Sequence, residues 1–323
     1  MPAQPFWPDG QVSAQEIGSF PVLRTWNSGG HVDYWSPFQA ITPKNALESL
    51  NKRNPDFCKL YADIEDEFGF KLETWARWER YFRFLYEEYF KVQAQGVENI
   101  PSEGPVIIAG NHSGLLPIDG GLLSIAMCNS HPNPRRVRFL ATDWFFQVPG
   151  LQEWAMETGL VRATKDNAIK LLDKNEIVGI YPEGIRGVGK TFRERYRLHD
   201  FHPGFVQLAI QTQTPIVPIA TVGGDEIFPN FANSKTMAQF LKMPFFPLTL
   251  SFPWMPIPLM FVPLPVRWLL KIHPPIKLDY PPERANDRKL ALKITREIQH
   301  QIQRDLNELL RERKSVFSGW DGD

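Results

Sequence analysis

From Gly96 onward, short runs of consecutive apolar residues alternate with stretches in which apolar residues return at steps of three and four. Pro105 to Gly110, Val137 to Thr142, Ile177 to Pro182 and Pro215 to Val222 are rich in β-branched residues and too short for helices, so they read as buried strands. Residues 120–129, 151–157, 166–174 and 203–213 lie between or beside them and read as helices. Strands and helices in alternation predict an α/β class with a largely parallel sheet flanked by helices. Helical additions are expected at both ends. From Lys44 to Val92 the pattern is helical, and Trp75, Trp78, Phe82, Leu85 and Tyr89 recur on one face. Such an aromatic stripe is expected to pack on the main domain, with a membrane interface as the alternative. Near the other end Leu290, Ile294, Ile298, Ile302, Leu306 and Leu309 mark one amphipathic helix that closes the domain. Residues 1–43 show no period and read as an irregular arm. The division is therefore arm 1–43, aromatic helical extension 44–95, α/β domain 96–280, and C-terminal helix and tail 281–323.

One stretch fits neither period. Between Met243 and Val266 there is no charged residue, a run of 24 that contains seven prolines. Its length would cross a bilayer, but a lipid-exposed helix cannot lose that many backbone donors. An irregular apolar segment is expected instead, covering the core, walling a greasy ligand or dipping into a membrane.

Composition narrows the function classes. The chain has 323 residues, 43% hydrophobic and 22% charged, which is globular. Its 36 Lys+Arg balance 36 Asp+Glu, so no global attraction to nucleic acid is encoded. Cys58 and Cys128 form no CxxC pair and have no His neighbour, which argues against a zinc site or a disulfide framework and fits a reducing compartment. Met1 to Pro8 shows neither a basic nor an apolar segment of the signal-peptide kind. A cytoplasmic protein is expected.

Two constellations carry candidate chemistry. After the strand ending at Gly110 comes Asn111-His112-Ser113-Gly114, with Asp119 the nearest carboxylate. Catalytic groups in open α/β sheets sit beyond the carboxyl ends of strands. A histidine with one ring nitrogen held by a carboxylate has a fixed tautomer and a free nitrogen for general-base work. Ser113 lacks the G-x-S-x-G elbow of a hydrolase nucleophile. After the third strand, Tyr181-Pro-Glu183-Gly184-Ile-Arg186-Gly187 leads into Lys190, Arg193, Arg195 and Arg197 against one acid, Glu194. Glycines that allow close backbone approach, beside clustered cations, suit a phosphate group. Arg162 is a further possible anion contact. Gly184 to Thr191 also matches the nucleotide P-loop pattern, but the residues after it, Phe192 to His202, show no helical apolar period and end at Pro203.

As a set these residues resemble the glycerolipid acyltransferase superfamily, typified by 1-acylglycerol-3-phosphate acyltransferase, across Gly96 to Glu226. Asn111-His112 with Asp119 resembles its first motif, Gly159 to Arg162 its second, Glu183-Gly184-x-Arg186 its third and Pro215 to Pro218 its fourth. Six residues separate His112 from Asp119 where the common pattern has four, a spacing that resembles a divergent branch and calls for a turn at Gly114 and Pro117. The resemblance implies transfer of a fatty acyl group from acyl-CoA or acyl carrier protein to a lipid hydroxyl, with no metal or other cofactor. It implies His112 as general base and Asp119 as its holder. Glu183, Gly184, Arg186, Arg162 and Lys190 would bind substrate, backbone N–H groups near Gly114 or Gly184 would meet the oxyanion, and the protein would lie peripherally on the inner face of the membrane. A P-loop-like nucleotide-binding protein and a non-catalytic lipid-binding protein are the alternatives.

Overall fold

The computed structural model describes residues 43–320 except 63, 65, 115 and 117. The arm expected over 1–43 thus falls, but for its last residue, outside the described residues, and so does Pro117. The centre is a seven-stranded sheet made of β1 (Gln93–Gln95), β2 (Val106–Gly110), β3 (Val137–Ala141), β4 (Val161–Arg162), β5 (Ile177–Ile180), β6 (Ile216–Val222) and β9 (Leu269–Ile272). Its order is β1-β9-β6-β2-β5-β3-β4. The five strands from β6 to β4 are parallel, β9 pairs antiparallel with β6, and β1, parallel to β9, shares its reversed direction. The mostly parallel α/β class therefore stands. The four strands read from the sequence are β2, β3, β5 and β6. Their every residue, apart from two in β3, is buried, which is why they appear as unbroken apolar runs. β1 is polar, β4 has only two residues, and β9 is interrupted by Lys271, so none announces itself as an unbroken apolar run.

Alternate side chains of the strands feed two cores. Ile107, Val178, Ile180, Ile216 and Ala220 pack with the helices Lys165–Asp173, Gly204–Thr212 and Arg288–Glu312. On the opposite face Val106, Ile108, Ile177, Val217 and Ile219 meet the helix Ile118–Ser130 and the aromatic residues of the N-terminal extension. The aromatic stripe is a packing face. Trp75, Phe82 and Leu85 are buried, and Phe82 lies so close to Gly121 that a β-carbon there would fall 2.3 Å from its ring. The extension comprises Pro43–Arg53, Pro55–Tyr61 and Leu72–Phe84, followed by a wider turn at Leu85–Tyr89. In the C-terminal helix Ile294, Ile298, Ile302, Leu306 and Leu309 are buried on one stripe, as the periodicity requires. Beyond it Arg313 pairs with Glu226 at 2.5 Å and tethers the tail to the end of β6.

The uncharged segment forms no long helix. A short strand β8 (Pro247–Thr249) pairs antiparallel with β7 (Asn230–Asn233), apart from the main sheet, and a run of tight turns follows, ending in one helical turn at Leu259–Phe261. Among the described residues no helix is long and apolar enough to cross a membrane.

Candidate active site

The parallel strands end on one edge of the sheet, and the segments leaving them carry the candidate residues. His112 lies two residues beyond β2, Asp143 two beyond β3, Arg162 at the end of β4 and Glu183 three beyond β5. The first turn of the helix Ile118–Ser130 supplies Asp119, whose side chain is 1% exposed. Its Oδ2 lies 2.7 Å from Nδ1 of His112 and also accepts the Ser113 N–H at 3.2 Å. Its Oδ1 accepts the Gly120 N–H at 2.8 Å. The six-residue spacing thus still closes a His–Asp pair. Gly114 turns the chain with φ +88°, a left-handed conformation that side-chain-bearing residues resist. Adding a β-carbon to Gly114 would bring it 3.0 Å from the Gly224 carbonyl oxygen, so the loop is seated directly on the end of β6.

The imidazole is fixed from its face as well. It stacks on the Tyr181 ring at 4.3 Å between centroids and 8° between planes, and Tyr181 in turn stacks on Phe139 at 5.7 Å and 4°. Burial, and next the Asp119 charge, push the Tyr181 phenol well above its ordinary value, so it stays protonated. Asn111 ties the loop to β6, its amide giving a hydrogen to the Thr221 carbonyl at 2.9 Å and accepting the Thr221 N–H at 2.8 Å. With Nδ1 engaged, Nε2 is the ring nitrogen left to work on a substrate, and the side chain is 19% exposed. Ser113 is fully buried against Gly224, which removes it as a nucleophile.

Glu183 was expected among the substrate-binding residues. Instead its carboxylate is buried and spent on the protein. Oε1 accepts the His112 N–H at 3.2 Å and Oε2 the His199 N–H at 2.8 Å, while Lys190 approaches Oε2 to 2.7 Å. Lys190, also expected to contact substrate, has a side chain only 2% exposed and points inward for the same reason. Gly184 has φ +59°, and its own N–H is taken by the Tyr181 carbonyl at 2.9 Å, so it is no oxyanion donor. Arg186 is exposed and carries a hydrogen bond to the Asp200 carbonyl at 3.4 Å. Arg162 is half exposed and pairs with Asp143 at 3.1 Å. It lies three strands from β2, roughly 14 Å at the ordinary strand spacing, so it belongs to the rim of the edge. The P-loop reading finds no support here. Only the four-residue turn Ile185–Val188 follows Gly184, Lys190 is buried in its ion pair, and no phosphate-capping helix succeeds it. No cluster of metal-ligating side chains occurs among the described residues.

Pattern reading assigns no separate role to Asn111 or Tyr181, although both stand in the quoted motifs, and it does not single out Asp225. Asp225 follows Gly224 at the end of β6 and accepts the Tyr196 N–H at 2.7 Å. Burial pushes its carboxyl up from 3.8 to about 6, against the pull of Lys190 and the Tyr196 N–H.

Residues 91–222, which hold every one of the predicted site residues, match the protein family described as Acyltransferase. The chain is 38% identical over 257 residues to an uncharacterized protein of Mycobacterium tuberculosis, covering 79% of this chain and 72% of that one. It is 26% identical over 164 residues to the Bos taurus protein named DGAT1/2-independent enzyme synthesizing storage lipids, covering 50% and 48%. It is also 29% identical over 153 residues to 1-acyl-sn-glycerol-3-phosphate acyltransferase BAT2, chloroplastic, of Brassica napus, covering 44% and 40%. Among solved structures, the 1-acyl-sn-glycerophosphate (LPA) acyltransferase PlsC of Thermotoga maritima matches 83% of this chain and 81% of that one, with a TM-score of 0.46 and 18% identity.

Two predictions follow from the buried charges. Glu183→Gln leaves the Lys190 ammonium buried without its counter-ion and should destabilise the fold by about 3–5 kcal/mol. Adding Lys190→Met to that variant should restore most of the loss, as read from urea unfolding midpoints. Asp225 binds its proton more tightly folded than unfolded, so the stability it contributes is full below about pH 4 and is lost as pH rises through about 6. Asp225→Asn keeps an acceptor for the Tyr196 N–H and stays neutral. It should match the wild type near pH 4 and be the more stable of the two at pH 7.

Proposed function

The chain belongs to the glycerolipid acyltransferase superfamily, and from that premise we propose that it moves a fatty acyl group from acyl-CoA or acyl carrier protein to the hydroxyl of a lysophospholipid or glycerol-phosphate lipid. The observation that carries the reading is the 2.7 Å contact between His112 Nδ1 and Asp119, which leaves Nε2 free at the carboxyl edge of the sheet. In this mechanism Nε2 takes the proton from the acceptor hydroxyl as its oxygen attacks the thioester carbonyl. The new C–O bond forms, a tetrahedral oxyanion collapses, and the C–S bond breaks. The imidazolium returns its proton to the departing thiolate. Asp119 holds the tautomer that makes this possible and stabilises the transient imidazolium. No acyl-enzyme is needed, which accords with Ser113 being buried.

Arg186 is the cation of the Glu-Gly-x-Arg loop that reaches solvent, so it is the proposed partner of the acceptor phosphate. Glu183 and Lys190 serve it indirectly by holding the loop beneath. The protein would work peripherally at a membrane on the cytoplasmic side, where its acceptor lipid resides.

His112→Ala should lower acyl transfer by roughly 10²–10⁴-fold while keeping the native fold, as read from its circular dichroism spectrum. Asp119→Asn should reduce kcat more than it raises KM for either substrate, because a wrong tautomer affects the transition state rather than binding. Free thiol released from the thioester at the wild-type rate in His112→Ala would overturn the assignment. Separately, Arg186→Ala should raise KM for a phosphorylated acceptor roughly 10- to 150-fold, the equivalent of about 1.5–3 kcal/mol for a charged hydrogen bond, and leave KM for the thioester nearly unchanged. Equal sensitivity of acceptors with and without the phosphate would exclude the phosphate role.

A further inference from the structure

The lobe built on β7 and β8 turns large apolar side chains outward. Phe240 is 79% exposed, Ile257 75%, Trp254 68%, Phe231 61% and Leu250 58%. From Trp254 to Leu259 every residue is apolar and every one is exposed. This exposure does not come from a loosely built loop. Inside the lobe Phe252 packs between Phe246 and Phe261, with ring centroids 5.2 and 6.2 Å away. The indole N–H of Trp254 is already satisfied by the Thr249 carbonyl at 3.1 Å, so the exposed ring asks nothing of water. A contiguous apolar surface of this kind on a soluble fold marks an interaction site.

The surroundings indicate what covers it. The turn at Phe192–Glu194 packs beside β7, and Arg193, Arg195 and Arg197 on it and just after it are exposed. An uncharged apolar stretch on a lobe whose strand β7 adjoins exposed arginines suits the acyl region and the anionic headgroup layer of a bilayer. The lobe is also fastened to the site. Asn233 gives its amide hydrogen to the Gly189 carbonyl at 2.7 Å and Asn230 to that of Lys190 at 3.1 Å, on the same loop that carries Arg186. It lies beyond residues 91–222, outside the part of the chain that matches the acyltransferase family.

We infer that the segment from Phe231 to Val262 is a membrane-docking lobe that inserts its apolar tip into the headgroup region of an anionic bilayer, with Arg193 and Arg197 against the lipid phosphates. Docking there holds the His112 edge at the lipid surface, and in this respect the inference deepens the proposed function and rests on it. The docking itself is measured without turnover.

The test is co-sedimentation of the purified full chain with vesicles of phosphatidylcholine alone and with about a third phosphatidylglycerol. The wild type should bind the mixed vesicles, and bind them less as salt is raised. The paired substitutions Trp254→Asp and Ile257→Asp should weaken binding by roughly tenfold per residue, with thermal unfolding unchanged because both side chains are exposed. Arg193→Glu with Arg197→Glu should abolish the preference for phosphatidylglycerol and keep the fold. Turnover of a water-dispersed short-chain acceptor by the Trp254/Ile257 variant should equal that of the wild type, so failure of docking and failure of the acyl-transfer reading give different results. The inference is overturned if the wild type stays in the supernatant with both vesicles or if the paired aspartates bind as well as it does. Light scattering that shows a dimer dispersed by the same aspartates would overturn it too, since the face would then join two copies of the chain.

Discussion

A carboxylate taken out of water must be met by donors on all sides, or it will not remain charged. Glu183 satisfies that requirement with groups from three separate stretches: the backbone of His112 after β2, the ammonium of Lys190 and the backbone of His199. Each partner is sequence-distant from at least one other, so the ion pair brings their loops together in one arrangement. Gly187 completes the fit, because a β-carbon there would come within 3.0 Å of both Glu183 and His112. The position of the imidazole therefore depends on a carboxylate whose described partners all belong to the protein itself.

The sheet contributes the second constraint. Phe139, Tyr181 and His112 form a stack of three rings that runs from the interior of the sheet to its edge. Phe139 needs space on both flanks, and it has that space because residues 120 and 179 are glycines, where β-carbons would lie 3.2 and 2.4 Å from the ring. With one face of the imidazole covered and Nδ1 held by Asp119, the ring has little freedom left. Preorganisation of this kind is what a general base requires, since orientation is then settled before substrate arrives.

The apolar lobe obeys a different rule. Its prolines rule out a helix and leave few backbone donors for a sheet, so the chain folds over a small aromatic centre and directs the remaining apolar side chains outward. Asparagines at its base satisfy carbonyls of the Arg186 loop, and this joins the lobe mechanically to the edge that carries His112.

Sequence alone determined the α/β class, four central strands and the C-terminal helix stripe, and it pointed to the loops after β2 and β5 that carry His112 and Arg186. Doubly buried strands must be continuously apolar, a buried helix face must repeat at its own period, and loops after parallel strands collect on one edge. The short strands β1, β4 and β9 left no such trace, because pairing with an existing sheet, rather than their own composition, makes them strands. Charge counting placed Lys190 with the phosphate-binding cations. Only the tertiary structure turned it inward, since a single-chain pattern cannot say which carboxylate a cation will meet. The same holds for Tyr181 beneath the imidazole and for Asp225 at the end of β6. The closure of His112 on Asp119 across six intervening residues was likewise decided by packing: Gly114 seated on Gly224 sets the turn, and the first turn of the following helix presents the carboxylate.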